Sequence, residues 1–182
     1  MSLYRNALET WVGNIKVKAD RVLDVGGGQL PISKRVKSWD VKEYLIADND
    51  AQYKPDIFMD LNHKSDVGKF DVVFCLEVME YIWNPVVAHK NLGDMVEDGG
   101  VAYISYPTIY PLHNPIGIDY LRYSKNVIEK YLGMNFKTWE ITPRIATDGL
   151  GPLRDFYSYE GMRAMKNTSD VFDIGYMAKV IK

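Results

Sequence analysis

The chain has 182 residues, a size at which one domain buries a substantial core without disulfide or metal staples. With 47% hydrophobic and 25% charged residues, it has a globular profile and no apolar run near the roughly 18 residues that a membrane span needs. A net charge of −2 with scattered Lys and Arg argues against nucleic acid as the main partner, because phosphate binding needs a clustered positive surface.

In chain order, the first predicted element is a helix from Ser2 to about Lys16, with Ser2 as its N-cap. The stretch "MSLYRNALETWVGNIK" carries charges throughout and has no apolar h-region, which predicts a cytoplasmic protein without a secretory signal. "RVLDV" then reads as a strand, followed by Gly26, Gly27 and Gly28 and a helix from Pro31 to about Trp39. Lys34, Arg35, Lys37 and Lys42 are assigned to a solvated helix face. "EYLIA", "DIFM", "FDVVFCL" and "GVAYISY" are further short apolar runs, as expected of strands buried on both faces of a parallel sheet.

Between these runs, "DNDAQYKP" and "NHKSDVGK" are too short for ordinary crossover helices, so one face of the sheet is expected to be thinly covered. A helix is predicted from Pro85 to about Val96, started by Asn84 and Pro85 and stopped by Gly99 and Gly100, and another from Ser124 to about Leu132. "NFKTWEITPRI" and "DIGYMAKVIK" form an expected antiparallel pair at the sheet edge. The whole is one α/β domain. Cys75, the single cysteine, is assigned to the core of a protein in a reducing compartment. His63 and His89 are taken as exposed, and the aromatic and Met residues as core and pocket lining.

The glycine turn carries the functional signal. Without Cβ atoms the backbone can come within contact distance of a ligand, and a following helix would add free N–H groups. Asp48, at the end of the next strand, lies 20 residues after Gly28, the separation at which an acid can accept hydrogen bonds from ribose hydroxyls. Nicotinamide dinucleotides and S-adenosylmethionine both suit such a site. A dinucleotide fingerprint wants G-x-G-x-x-G, whereas Pro31 stands at the third glycine and removes a helix N–H that could have faced a pyrophosphate. S-adenosylmethionine has no phosphate.

Over about Arg21 to Leu132 the sequence resembles the class I S-adenosylmethionine-dependent methyltransferases. The matching pieces are "VLDVGGGQL", "LIADND", "MDLN", "FDVVFCLEVMEYIWNP" and "EDGGVAYISYP". The resemblance implies a Rossmann-like three-layer sandwich with a mostly parallel seven-stranded sheet, order 3-2-1-4-5-7-6, the last strand antiparallel, and the N-terminal helix near the cofactor. It also implies S-adenosyl-L-methionine as cofactor, with Gly26, Gly27 and Gly28 under its methionine part and Asp24 beside it. Asp48, with Asn49, would bind the ribose; Asp60 and Leu61 the adenine; Leu76 and Glu77 would line the sulfonium end. Tyr81 stands where many members have histidine.

Methyl transfer depends largely on alignment, and a base is needed only when the acceptor must lose a proton. "YPTIYPLHNPIGIDYLRYS" follows the fifth strand and is expected to form the acceptor wall, with His113 as base and Tyr106, Asp119 and Arg122 positioning the acceptor. In the alternative, Asp119 and Arg122 pair with each other to hold a rigid loop. The stretch is also similar to one in methyltransferase-like proteins associated with sugar or glycan biosynthesis, which implies a small-molecule or sugar acceptor. The competing reading is a non-catalytic cofactor-binding or partner-binding module of the same fold.

Overall fold

The apolar runs become seven strands of one sheet in a computed structural model that describes residues 3–110, 112, 118–144 and 174–182. They are β1 (Lys16–Val25), β2 (Ser38–Asp48), β3 (Ile57–Phe58), β4 (Phe70–Cys75), β5 (Val96–Pro107), β6 (Thr138–Arg144) and β7 (Gly175–Ile181). Their order is β3-β2-β1-β4-β5-β7-β6, as the sequence resemblance implies. β1 pairs in parallel with β2 and β4, β2 with β3, and β4 with β5; β7 runs antiparallel to both β5 and β6.

Side-chain alternation along the strands divides the core into two layers. Leu23, Val25, Val73, Cys75, Ala102 and Ile104 pack on one face with residues of α2 (Pro85–Met95) and α3 (Lys125–Asn135). Val22, Phe74 and Leu76 point the other way, into a second cluster with Leu8 and Val12 of α1 (Leu3–Val12). Leu8 and Val12 are four residues apart and so share one face of α1. Ser2, named as the cap of α1, lies outside the described residues. Cys75 is fully buried, and burial pushes its thiol pKa far up.

The helix expected from Pro31 to Trp39 does not form. Ile32–Lys34 make a single 3-10 turn and β2 already starts at Ser38. The reason is distance. β1 and β2 pair from Lys16↔Ser38 to Val25↔Ala47, so the crossover must descend about 30 Å at roughly 3.3 Å per pairing step. A helix gains only about 1.5 Å per residue, too little for the residues between Gly26 and Lys37. Trp39 instead pairs with Val17 inside the sheet. The connection from β2 to β3 is likewise a 3-10 turn, Ala51–Tyr53. Gly99 and Gly100 lie within β5, where the register against β4 shifts, and α2 ends before them at Met95.

Candidate cofactor and active site

The carboxyl ends of β1, β2, β3 and β4 open into a cavity of about 620 Å³. At the end of β1, Gly26 turns with a φ of +75° and its N–H donates to the Ala47 carbonyl at 2.7 Å. A Cβ there would stand 2.3 Å from Val78 Cγ2, one on Gly27 2.3 Å from Asp24 Oδ2, and one on Gly28 2.6 Å from Tyr53 Cβ and 2.7 Å from Asp48 Oδ2. The turn therefore needs glycine because protein packs against it from three sides. Only Gly26 of the three lines the cavity.

Asp24 is placed beneath this turn and does not line the cavity. Its Oδ2 accepts from the Ile32 N–H at 2.8 Å and the Tyr44 hydroxyl at 2.7 Å, which ties the 3-10 turn to the sheet. Burial pushes its carboxyl up to about 6, against the pull of those two bonds. Asp48, by contrast, reaches the cavity wall with Asn49. Its Oδ2 accepts from the Gly28 N–H at 3.2 Å and its Oδ1 from the Asp50 N–H at 3.0 Å.

Beyond β3, Asp60 and Leu61 line the cavity. Asp60 Oδ1 accepts from both the backbone N–H and the side-chain amide of Asn62, each at 2.9 Å. Asn62 Oδ1 in turn accepts from the N–H groups of Trp83 and Asn84, at 2.8 and 3.0 Å, and so joins the loop after β3 to the loop after β4. Asn62 sits inside the quoted "MDLN", but its bridging role needs the tertiary fold to be seen.

Leu76 faces the α1 layer, away from the cavity, because it alternates with Cys75. Glu77, next in the chain, lines the cavity in a left-handed conformation with a φ of +58°. Its N–H donates to Ser105 Oγ at 2.8 Å, and its Oε1 accepts from Ser105 Oγ at 2.9 Å and from Arg144 Nη1 at 2.6 Å. Arg144 comes from the edge strand β6 and is fully buried. The sequence offered one signal for it, a cation within the apolar strand pattern "ITPRI".

The expected acceptor wall is reached by Tyr110, Ile118 and Tyr120, together with Tyr4 of α1 and Tyr81 and Trp83 of the loop after β4. Tyr106 is not part of it. It is fully buried, its hydroxyl meets His89 Nε2 at 3.0 Å, and the two rings stack. His89, expected to be exposed, is equally buried, with Nδ1 2.6 Å from the Pro85 carbonyl. Burial lowers its pKa to about 4, so it is neutral at pH 7. His63 is on the surface as expected. Asp119 and Arg122 form an ion pair, and Arg122 Nε and Nη2 also donate to the Tyr110 carbonyl at 3.2 and 3.1 Å. Asp119 and Arg122 thus engage each other, the pairing named in the alternative reading of the sequence, and Arg122 ties this segment to Tyr110. His113 lies outside the described residues.

A mixed sheet in this order, with a cavity at the carboxyl ends of its parallel strands, defines the Rossmann-like methyltransferase fold. Residues 4–142 match the Methyltransferase domain family, and the chain belongs to that family. No curated protein matches it. Similar solved structures include the N-methyltransferase NodS from Bradyrhizobium japonicum WM9, at 13% identity over 97% of this chain and 95% of that one, TM-score 0.57. Another is phosphoethanolamine N-methyltransferase 2 of Haemonchus contortus in complex with S-adenosyl-L-methionine, at 13% identity over 98% of this chain and 52% of that one, TM-score 0.57. A Haloferax volcanii protein in complex with the Trm112 methyltransferase activator matches at 13% identity over 98% of this chain and 88% of that one, TM-score 0.59. The chain spans about half the length of several of its matches, including the CMeT domain of the citrinin polyketide synthase and the CurJ carbon methyltransferase. At such identities the likeness is one of fold.

The cofactor of the family is S-adenosyl-L-methionine, and the cavity suits it. Its volume falls within the usual range for a small-molecule site, about 300 to 1,000 Å³. A carboxylate offers about four lone-pair sites, and Asp48 uses two of them on backbone N–H groups, which leaves two for a pair of ribose hydroxyls. Ala47, Met59, Leu61 and Ile82 add an apolar wall for a flat ring. Among the described residues no group of side chains could hold a metal ion, and no helix is long and apolar enough to cross a membrane.

Proposed function

We propose that the chain is an S-adenosylmethionine-dependent methyltransferase acting on a small-molecule acceptor, sugar-type molecules included. The observation that carries this reading is the Asp48 carboxylate at the end of β2, which accepts from the Gly28 and Asp50 N–H groups and is open to the same cavity as Glu77. Asp48 and Asn49 would hold the ribose, Asp60 and Leu61 the adenine edge, and the Gly26 backbone and Glu77 the sulfur end. When bound, the cofactor supplies a methyl carbon already activated by a sulfonium. What the chain contributes is alignment: the aromatic wall of Tyr4, Tyr81, Tyr110 and Tyr120 would orient the acceptor and exclude water. Where the acceptor must lose a proton, His113 is the base we propose.

A second reading, a cofactor-binding module without turnover, is favoured by one specific observation. Tyr106 is spent on His89 and Asp119 on Arg122, so two of the three groups named for chemistry are engaged in holding the fold. Incubation with S-adenosyl-L-methionine and a panel of sugar nucleotides, phenols, amines and small carboxylates separates the two readings. Release of S-adenosylhomocysteine with any acceptor supports the methyltransferase. Cofactor binding without release across the panel supports the module.

A further inference from the structure

Arg144 is the largest fully buried side chain described, and it lies on the edge strand of the sheet. Removing a guanidinium from water costs free energy that an apolar side chain of similar volume would not incur, so a buried pair of this kind is weak evidence of a role in stability. Its surroundings suggest another role. Nη1 donates to Glu77 Oε1 at 2.6 Å, Nη2 donates to the Tyr4 carbonyl at 2.9 Å, and the guanidinium carbon lies 3.4 Å from the centre of the Tyr4 ring. One planar group thus joins β6, α1 and the second residue after β4. Two of its partners, Tyr4 and Glu77, line the cavity, whereas Arg144 does not.

Glu77 has unusual needs. It is one of only two non-glycine residues described in the left-handed region, and it must hold a carboxylate beside a ligand. Ser105 and Arg144 both converge on Oε1, while Oε2 makes no hydrogen bond among the described residues. We propose that Arg144 is a positioning residue of the cofactor site. It fixes Oε1 from behind, so that Oε2 is presented to a positively charged or hydrogen-bond-donating part of the bound molecule. α1 and the far edge strand thereby become part of the binding machinery. The inference rests on the reading that S-adenosyl-L-methionine occupies the cavity.

A mutant cycle read by calorimetry with S-adenosyl-L-methionine tests it. Glu77→Gln and Arg144→Met should each weaken binding about tenfold. Because Arg144 acts through Glu77, the double variant should lose about tenfold as well, whereas two independent effects would multiply to about a hundredfold. Arg144→Lys keeps the charge but not the fork that reaches both partners, and should lose about threefold alone and nothing further in the Glu77→Gln background. If circular dichroism shows Arg144→Met unfolded, the lysine variant carries the cycle. Multiplying losses, or Arg144 variants that bind like the unmodified protein, overturn the inference while leaving the cofactor reading intact. No binding by the unmodified protein overturns both.

Discussion

Replacing Gly28 by alanine separates what the glycine turn does for folding from what it does for binding. The new Cβ would stand 2.6 Å from Tyr53 Cβ and 2.7 Å from Asp48 Oδ2, where ordinary contact begins near 3.4 Å, so these neighbours must retreat by about 0.8 Å. The turn that carries Tyr53 buries none of its residues, so it can yield, and the stability loss should be at the low end for overpacking, about 1 kcal/mol. Asp48 must move with it. A displacement of that size deprives the ligand of one charge-assisted hydrogen bond, about 1.5 to 3 kcal/mol, or roughly 10- to 150-fold in dissociation constant. Gly27→Ala provides the contrast. Its Cβ would meet the Asp24 carboxylate at 2.3 Å, and that group is buried and bound to Ile32 and Tyr44, so the loss should fall on stability, about 2 to 3 kcal/mol. Thermal melts and calorimetry with S-adenosylhomocysteine read the two effects. A Gly28→Ala protein that binds like the unmodified one would show that the ligand does not depend on the position of Asp48.

Three further outcomes follow from the same structure. Tyr106→Phe should lower stability by about 1 to 2 kcal/mol in thermal melts by leaving Nε2 of buried His89 without its partner, with cofactor affinity unchanged; a large loss of affinity would return Tyr106 to the site. Burial, with Glu77 beside it, pushes the Glu80 carboxyl up to about 8 from an ordinary value of 4.5, so the unfolded chain releases this proton first and stability falls as pH rises between the two values. His89, lowered to about 4, acts in the opposite sense below pH 6.5, so the decline should emerge between pH 6.5 and 8 at about 2 kcal/mol and be absent in Glu80→Gln; a pH-independent melt of the unmodified protein would contradict it. Asp48→Ala should weaken cofactor binding by about 1 to 3 kcal/mol by calorimetry, and equal affinity would show that the ribose lies elsewhere.

The sheet was legible in the sequence because its central strands are buried on both faces and therefore read as largely apolar runs, from "RVLDV" to "GVAYISY". The missing helix was not, because the length of the crossover it had to span is set by the pairing of β1 with β2, a tertiary property invisible to local pattern. Asp48 could be placed at the cavity by its spacing from Gly28, whereas Leu76 could not, since one residue of alternation decides which face a side chain takes. His89 stands next to Ala88 and three residues before Leu92, both buried in α2, and that helical periodicity was the available sign that it faces inward. Arg144 stood out as a cation within an apolar strand pattern, but its partner lies 67 residues earlier in the chain and no local pattern identifies it.

The cavity at the carboxyl ends of β1 to β4 should receive S-adenosyl-L-methionine. Calorimetric titration of the unmodified protein with that cofactor and, separately, with NAD tests this most directly. One-to-one binding of S-adenosyl-L-methionine at micromolar affinity, about −8 kcal/mol, is expected, with no binding of NAD, whose pyrophosphate would meet a turn where Pro31 lacks an N–H and only a single 3-10 turn follows. Binding of NAD in preference to S-adenosyl-L-methionine, or of neither, would contradict this.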